Sequence, residues 1–294
     1  MPYQHPGHAF IKQQGPLQRD ADLAQYGSFL REAAGLSDEP PIDLKPIYQH
    51  FEMPLPRLAP LIEQQGILVD AERGLILIKA DDPEVRQRFT EGHELLELLF
   101  EAQAQQATGW QVRGERKERL CDRGAAALLM PAGSFKARLA NLGVSVATAQ
   151  ALAKDYHVSL LATLMRMMQL GEGAHCLVVW RLGWQTAAEK QAGRQPPQLR
   201  VWWRSAAPAW LFSLPVINHV AKPDSVVAIA QRMDQFLTGT EPLPTARPEP
   251  SSGVRQETKP TAGAAEAFSE RCSVEALPLR IGRRRCVVSL FHAL

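Results

Sequence analysis

The stretch Arg86-Gln87-Arg88-Phe89-Thr90-Glu91-Gly92-His93-Glu94-Leu95-Leu96-Glu97-Leu98-Leu99-Phe100 decides how the rest of the chain is read. It follows Pro83 and predicts a long helix over about 84–105. Phe89, Leu95, Leu96, Leu98, Leu99 and Phe100 cover most of the circumference, so the helix is expected to be buried. His93 and Glu97 are i and i+4 and project from one face toward a single point, which Glu94 can reach from the side. Buried carboxylates need partners, and a metal ion is one. In an HExxH zinc site two histidines and a glutamate have this arrangement: the ion makes its water acidic and the glutamate takes the proton. Here Glu97 stands where the second histidine would, giving HExxE. Five residues of this kind also recur by chance on solvated acidic helices.

Working outward, Arg116–Met130 predicts a second helix, stopped by Pro131. Glu118 and Asp122 are again i and i+4, and Ala125–Ala127 suits close helix packing. In a zinc peptidase arrangement Glu118 would be the third ligand. Asp122 would hold the other ring nitrogen of His93 and fix its tautomer. The plain alternative is a surface acidic pair in an arginine-dense segment.

On the N-terminal side, residues 1–21 read as a loose arm and Asp22–Leu36 as a helix. Asp43 caps a short helix to Phe51, and Leu58–Gln65 reads as another. Gly66–Val69 and Gly74–Lys79 read as a hairpin. Leu75–Lys79 is expected to be an edge strand, with Leu75, Leu77 and Lys79 holding an extended peptide through main-chain bonds.

On the C-terminal side, Ser134–Asn141, Ser145–Asp155 and Ser159–Leu170 read as helices, the last pair resembling a helix-turn-helix. The final helix is almost wholly apolar, whereas a DNA reader needs polar and basic side chains, so it reads as core. Residues 22–171 are taken as one domain. Residues 172–294 form a β-containing second domain, with strands at Cys176–Arg181 and Leu199–Ser205, a helix at Ser225–Leu237, and a terminal hairpin about Gly282. The Pro-rich segment 238–267 is expected to be mobile. Trp180, Trp184, Trp202, Trp203 and Trp210 suggest strand packing in this second domain, and Cys272 and Cys286, flanking the hairpin, could lie near one another but read as reduced core thiols.

A net charge of +2 over 294 residues gives no global pull toward nucleic acid or a membrane surface. Four scattered cysteines fit a reducing compartment. No signal-like N-terminus or membrane-length apolar run is present, so the expectation is a soluble cytoplasmic protein.

Taken together, Arg86–Glu94, Glu118 with Ala125–Pro131, and Leu152–Ser159 resemble the ImmA/IrrE family of metallopeptidases, over about residues 22–171. The family pattern is roughly RxRFTxAHELGHxL, then ExxANxFAAxLLMP, then LAxxFxVS. The resemblance implies an α+β, zincin-like domain with a small sheet and a helix-turn-helix-like unit. It also implies metal held by His93, Glu97 and Glu118, with Glu94 as base and Asp122 behind the histidine, and cleavage of a helix-turn-helix repressor in stress response or mobile-element control. The chain departs from the pattern at Glu97 (for His), Leu96 (for Gly), Cys121 (for Ala) and Gly124 (for Phe). Zinc is the expected ion, with manganese made more competitive by the extra carboxylate. The rival reading is a catalytically impaired module that grips a regulatory protein. Direct nucleic-acid binding is not expected.

Overall fold

Pro83 precedes the long helix on which the candidate site is built. In the computed structural model, whose described residues are 3–106, 112–193, 196–242, 271–282 and 284–294, this helix is α4, Glu84–Ala104. The neighbouring helices in the chain are α1 (Pro6–Gln14), α2 (Leu23–Ala33), α3 (Lys45–His50), α5 (Gly114–Leu129), α6 (Ala132–Leu142), α7 (Val146–Tyr156) and α8 (Leu160–Leu170); α1 and α5 pack on α4, and α2 packs on α5. A three-stranded sheet, β1 (Arg57–Ala59), β2 (Gly66–Asp70) and β3 (Leu75–Lys79), lies against α4 through β2 and β3. The chain divides into two units, Met1–Arg166 and Met167–Leu294.

Close backbone approach explains several glycines of the first unit. A Cβ on Gly7 would fall 2.5 Å from the Leu98 carbonyl oxygen, so α1 can meet α4 only without a side chain there. The α5 carbonyls of Ala127 and Leu128 accept from the buried Arg31 guanidinium, each at 3.2 Å, and Met130 O accepts from Arg166 Nε at 3.1 Å. These cations satisfy the last carbonyls at the C-terminus of α5.

The hairpin, the two long helices and the following helix trio match the reading of the sequence. In α8, Leu164, Met167 and Met168 are buried, as befits a core helix. Three expectations for this half change. The supposed arm contains α1, capped by the His5 side chain and anchored by Phe10 and Leu17, each 1% exposed. The expected helix at Leu58–Gln65 is instead β1 and turns, because Pro56 and Pro60 bias the residues before them to extended backbone. Most consequentially, β3 is the central strand, paired in parallel with β1 and antiparallel with β2. Leu75, Leu77 and Lys79 therefore lie on no open edge, and β1 and β2 are the edges.

The second unit is a five-stranded antiparallel sheet in the order β5-β4-β8-β7-β6. The strands are β4 (His175–Gly183), β5 (Gln198–Ala206), β6 (Leu237–Pro242), β7 (Arg271–Ile281) and β8 (Arg284–Ala293). A short helix α9 (Ala187–Ala192) lies in the β4–β5 connection, and α10 (Val226–Met233) packs on β6, β7 and β8. The expected helix to Leu237 stops at Met233, where Asp234 takes a left-handed conformation (φ 52°). Residues 238–242 belong to a strand; the rest of the segment read as mobile, 243–267, lies outside the described residues. Trp180 is buried and donates to Ser289 Oγ at 2.7 Å. Cys272 and Cys286 sit at opposite ends of the hairpin, paired with Ala293 and Leu279, and all four cysteines are free thiols.

Candidate metal centre

The facing sides of α4 and α5 bring together the residues singled out by spacing. His93 Nδ1 and Asp122 Oδ1 are 2.9 Å apart. This leaves Nε2 directed to two carboxylates, Glu118 Oε2 at 3.5 Å and Glu97 Oε1 at 3.8 Å. Donors bound about 2.0–2.2 Å from one tetrahedral ion stand roughly 3.3–3.6 Å from each other, so the Glu118 separation suits a shared cation and the Glu97 separation is slightly longer. The carboxylate behind the imidazole also matches the usual support of a metal-bound histidine. Each carboxylate can thus share a cation with the imidazole, but among the described residues His93, Glu97 and Glu118 do not form a group whose donor atoms all lie within 4.8 Å of one another.

Electrostatics agree. Burial pulls the His93 pKa down, but the bond to Asp122 and the surrounding carboxylates overcome it, and the net shift is upward. The pocket favours a positive charge at its centre. Glu94 is 6% exposed, and burial lifts its pKa to about 7; Glu97 and Glu118 add to the lift, while His93 and the Leu68 N–H oppose it. Its position depends on Gly66 of β2, where a Cβ would fall 2.6 Å from Glu94 Oε1. Strand and helix thus hold the carboxyl between them.

Two participants were not foreseen. Lys117 makes an ion pair with Glu97 Oε2 and reaches Glu101 at 3.5 Å. The Cys121 thiol donates to Glu97 Oε1 at 3.3 Å. His93, Glu97 and Cys121 each offer a donor atom, all within 4.8 Å of one another. Burial, then Glu97, pushes the Cys121 thiol far above its ordinary range. Lys117 and Cys121 are themselves i and i+4 on α5, which is the spacing that would have pointed to both.

A buried active helix carrying a histidine and glutamates, faced by a second acidic helix and backed by a small sheet, defines a metallopeptidase-like domain. Residues 59–168 match the family model for the peptidase M78, IrrE N-terminal-like domain, which supports the resemblance to the ImmA/IrrE family. A solved Mycobacterium tuberculosis transcriptional regulator shares the fold at a TM-score of 0.60 and 13% identity, covering 100% of this chain and 82% of that one. No curated protein matches the chain. No helix among the described residues is long and apolar enough to cross a membrane.

Proposed function

We propose that the domain is a metal-dependent endopeptidase that acts on a protein substrate, a helix-turn-helix repressor being the candidate class. The observation that carries this is the His93 imidazole, tied to Asp122 on one side and open to Glu97 and Glu118 on the other. His93, Glu97 and Glu118 would hold the ion, zinc before manganese, and the ion when bound would supply Lewis acidity and an acidic water. Glu94 is the general base: it is buried beside the ligands, and Gly66 and the Leu68 N–H hold its carboxyl in one place. Lys117 steadies Glu97 by taking Oε2, which leaves Oε1 directed toward His93. Of the two sheet edges, β2 is the one that contacts Glu94, so an extended substrate would lie along it.

The second reading is a binding module without turnover. Glu97 is the observation that favours it, because Lys117 and Cys121 already satisfy that carboxylate. Incubating the zinc-loaded chain and Glu94→Gln with a candidate repressor separates the two. Cleavage by wild type, abolished by Glu94→Gln and by chelation while the repressor still binds, is the expected result. Equal cleavage by both proteins would remove Glu94 as the base, and binding without cleavage by wild type would favour the module.

A further inference from the structure

We propose that Cys121 is itself a ligand of the ion, its sulfur joining His93 and Glu97, so that this site takes zinc-class cations in preference to manganese or magnesium. The proposal rests on the metal-binding reading above and adds the donor that decides which ion is held. Cys121 is fully buried on the turn of α5 between Glu118 and Asp122, and its Sγ stands 3.3 Å from Glu97 Oε1. A single ion can reach one atom from each of His93, Glu97 and Cys121, since those atoms lie within 4.8 Å of one another. Glu118, by contrast, has a side chain 64% exposed and stands at the solvent rim. It is the donor best able to leave when another ligand needs the position.

The chemistry is that of a soft donor compensating for a lost one. Glu97 puts oxygen where imidazole nitrogen would suit zinc better, and a thiolate is the donor that most strongly favours zinc over hard cations. On binding, the S–H bond breaks, a sulfur–metal bond forms, and the proton leaves to the buffer. The Glu97 oxygen that accepted the thiol hydrogen is then free to face the ion. Lys117, held on the other oxygen, offsets one negative charge, so carboxylate and thiolate together do not over-neutralise the cation.

The test is to titrate the metal-stripped full chain with cobalt(II) and to read the near-ultraviolet sulfur-to-cobalt charge-transfer band. One equivalent should produce the band in wild type and none in Cys121→Ala, a change to a small residue suited to a helix interior. In chelator competition Cys121→Ala should lose about tenfold or more in zinc affinity and about twofold or less in manganese affinity. Zinc binding to the variant should also release fewer protons. Circular dichroism checks that the variant is folded, and the free thiols Cys176, Cys272 and Cys286 serve as internal controls. Cobalt binding without the band, or a band that survives in Cys121→Ala, overturns the proposal and leaves the metal reading standing. If cobalt and zinc do not bind wild type at all, the metal reading itself fails.

Discussion

Leu96 and Gly124 meet where α4 crosses α5. A Cβ at Gly124 would fall 2.4 Å from Leu96 Cδ1, and Leu96 is fully buried with no solvent to swing into. Alanine for glycine inside a helix is normally favourable by about 1 kcal/mol. Here Gly124→Ala should instead cost roughly 1–3 kcal/mol through overpacking. In a Leu96→Ala background, which opens a cavity, the same Gly124→Ala should turn stabilising. Urea midpoints of the four proteins measure this, and an effect of the same sign in both backgrounds would show the positions to be independent. At this scale the pairs His93 with Glu97 and Glu118 with Asp122 were readable from their i,i+4 spacing, and the structure brings His93 to Glu97, Glu118 and Asp122. The departures at positions 96 and 124 were visible too, but that one fills the other's space is a fact about two helices in contact. Lys117 escaped notice because a long flexible side chain has no direction until its neighbour across the groove is known.

Elements position those residues, and two of them bear on function. The buried Arg31 guanidinium binds the Ala127 and Leu128 carbonyls and also pairs with Asp38 at 2.9 Å. Arg31→Met would strand those carbonyls, and should lower stability by about 2–4 kcal/mol in a denaturant titration. A loss under 1 kcal/mol, on the order of an exposed pair, would mean water replaces the guanidinium. For the sheet, Val69 lies at the irregularity in β2, 54% exposed and without a partner in the β2–β3 register. Val69→Pro should raise KM for cleavage while leaving the thermal midpoint nearly unchanged; an unaltered KM would remove β2 as the substrate edge. The helices and the hairpin were readable from periodicity and from Pro83 and Pro131. Which strand lies in the middle was not, because a parallel partner such as β1 leaves no local mark on β3.

Across the whole molecule, the second unit carries its own hydrogen-bonded polar chain. His175 Nε2 meets the Glu172 carbonyl at 2.9 Å, its Nδ1 meets His292 Nδ1 at 2.8 Å, and His292 Nε2 meets Glu275 Oε1 at 3.1 Å. Two rings facing through Nδ1 need at least one to be neutral. Burial, then the neighbouring His292, lowers the His175 pKa. The folded state therefore binds a proton at His175 less readily than the unfolded chain. The stability it contributes is present above about pH 6.5 and is lost as pH falls below that value toward the lowered one. Unfolding of the full chain, followed by tryptophan fluorescence, should show a larger loss between about pH 7.5 and pH 5.5 in wild type than in His175→Asn. An equal loss in both would place the acid sensitivity elsewhere. Strands of this unit were legible from their Val- and Trp-rich runs, but the order that sets β8 between β4 and β7 joins residues more than a hundred positions apart.

The contact between Leu96 and Gly124 also restricts how such a sequence can be reached. Starting from the glycine and phenylalanine of the family pattern, single changes offer two routes. One passes through leucine with phenylalanine, two large side chains contending for the space in which even a methyl group would sit 2.4 Å from its neighbour. The other passes through two glycines, which leave a void that a helix pair tolerates at a finite cost. The packing therefore favours the route in which the residue at 124 becomes glycine before the residue at 96 becomes leucine; Gly124→Phe in the present chain should accordingly destabilise it more than Leu96→Gly with Gly124→Phe together.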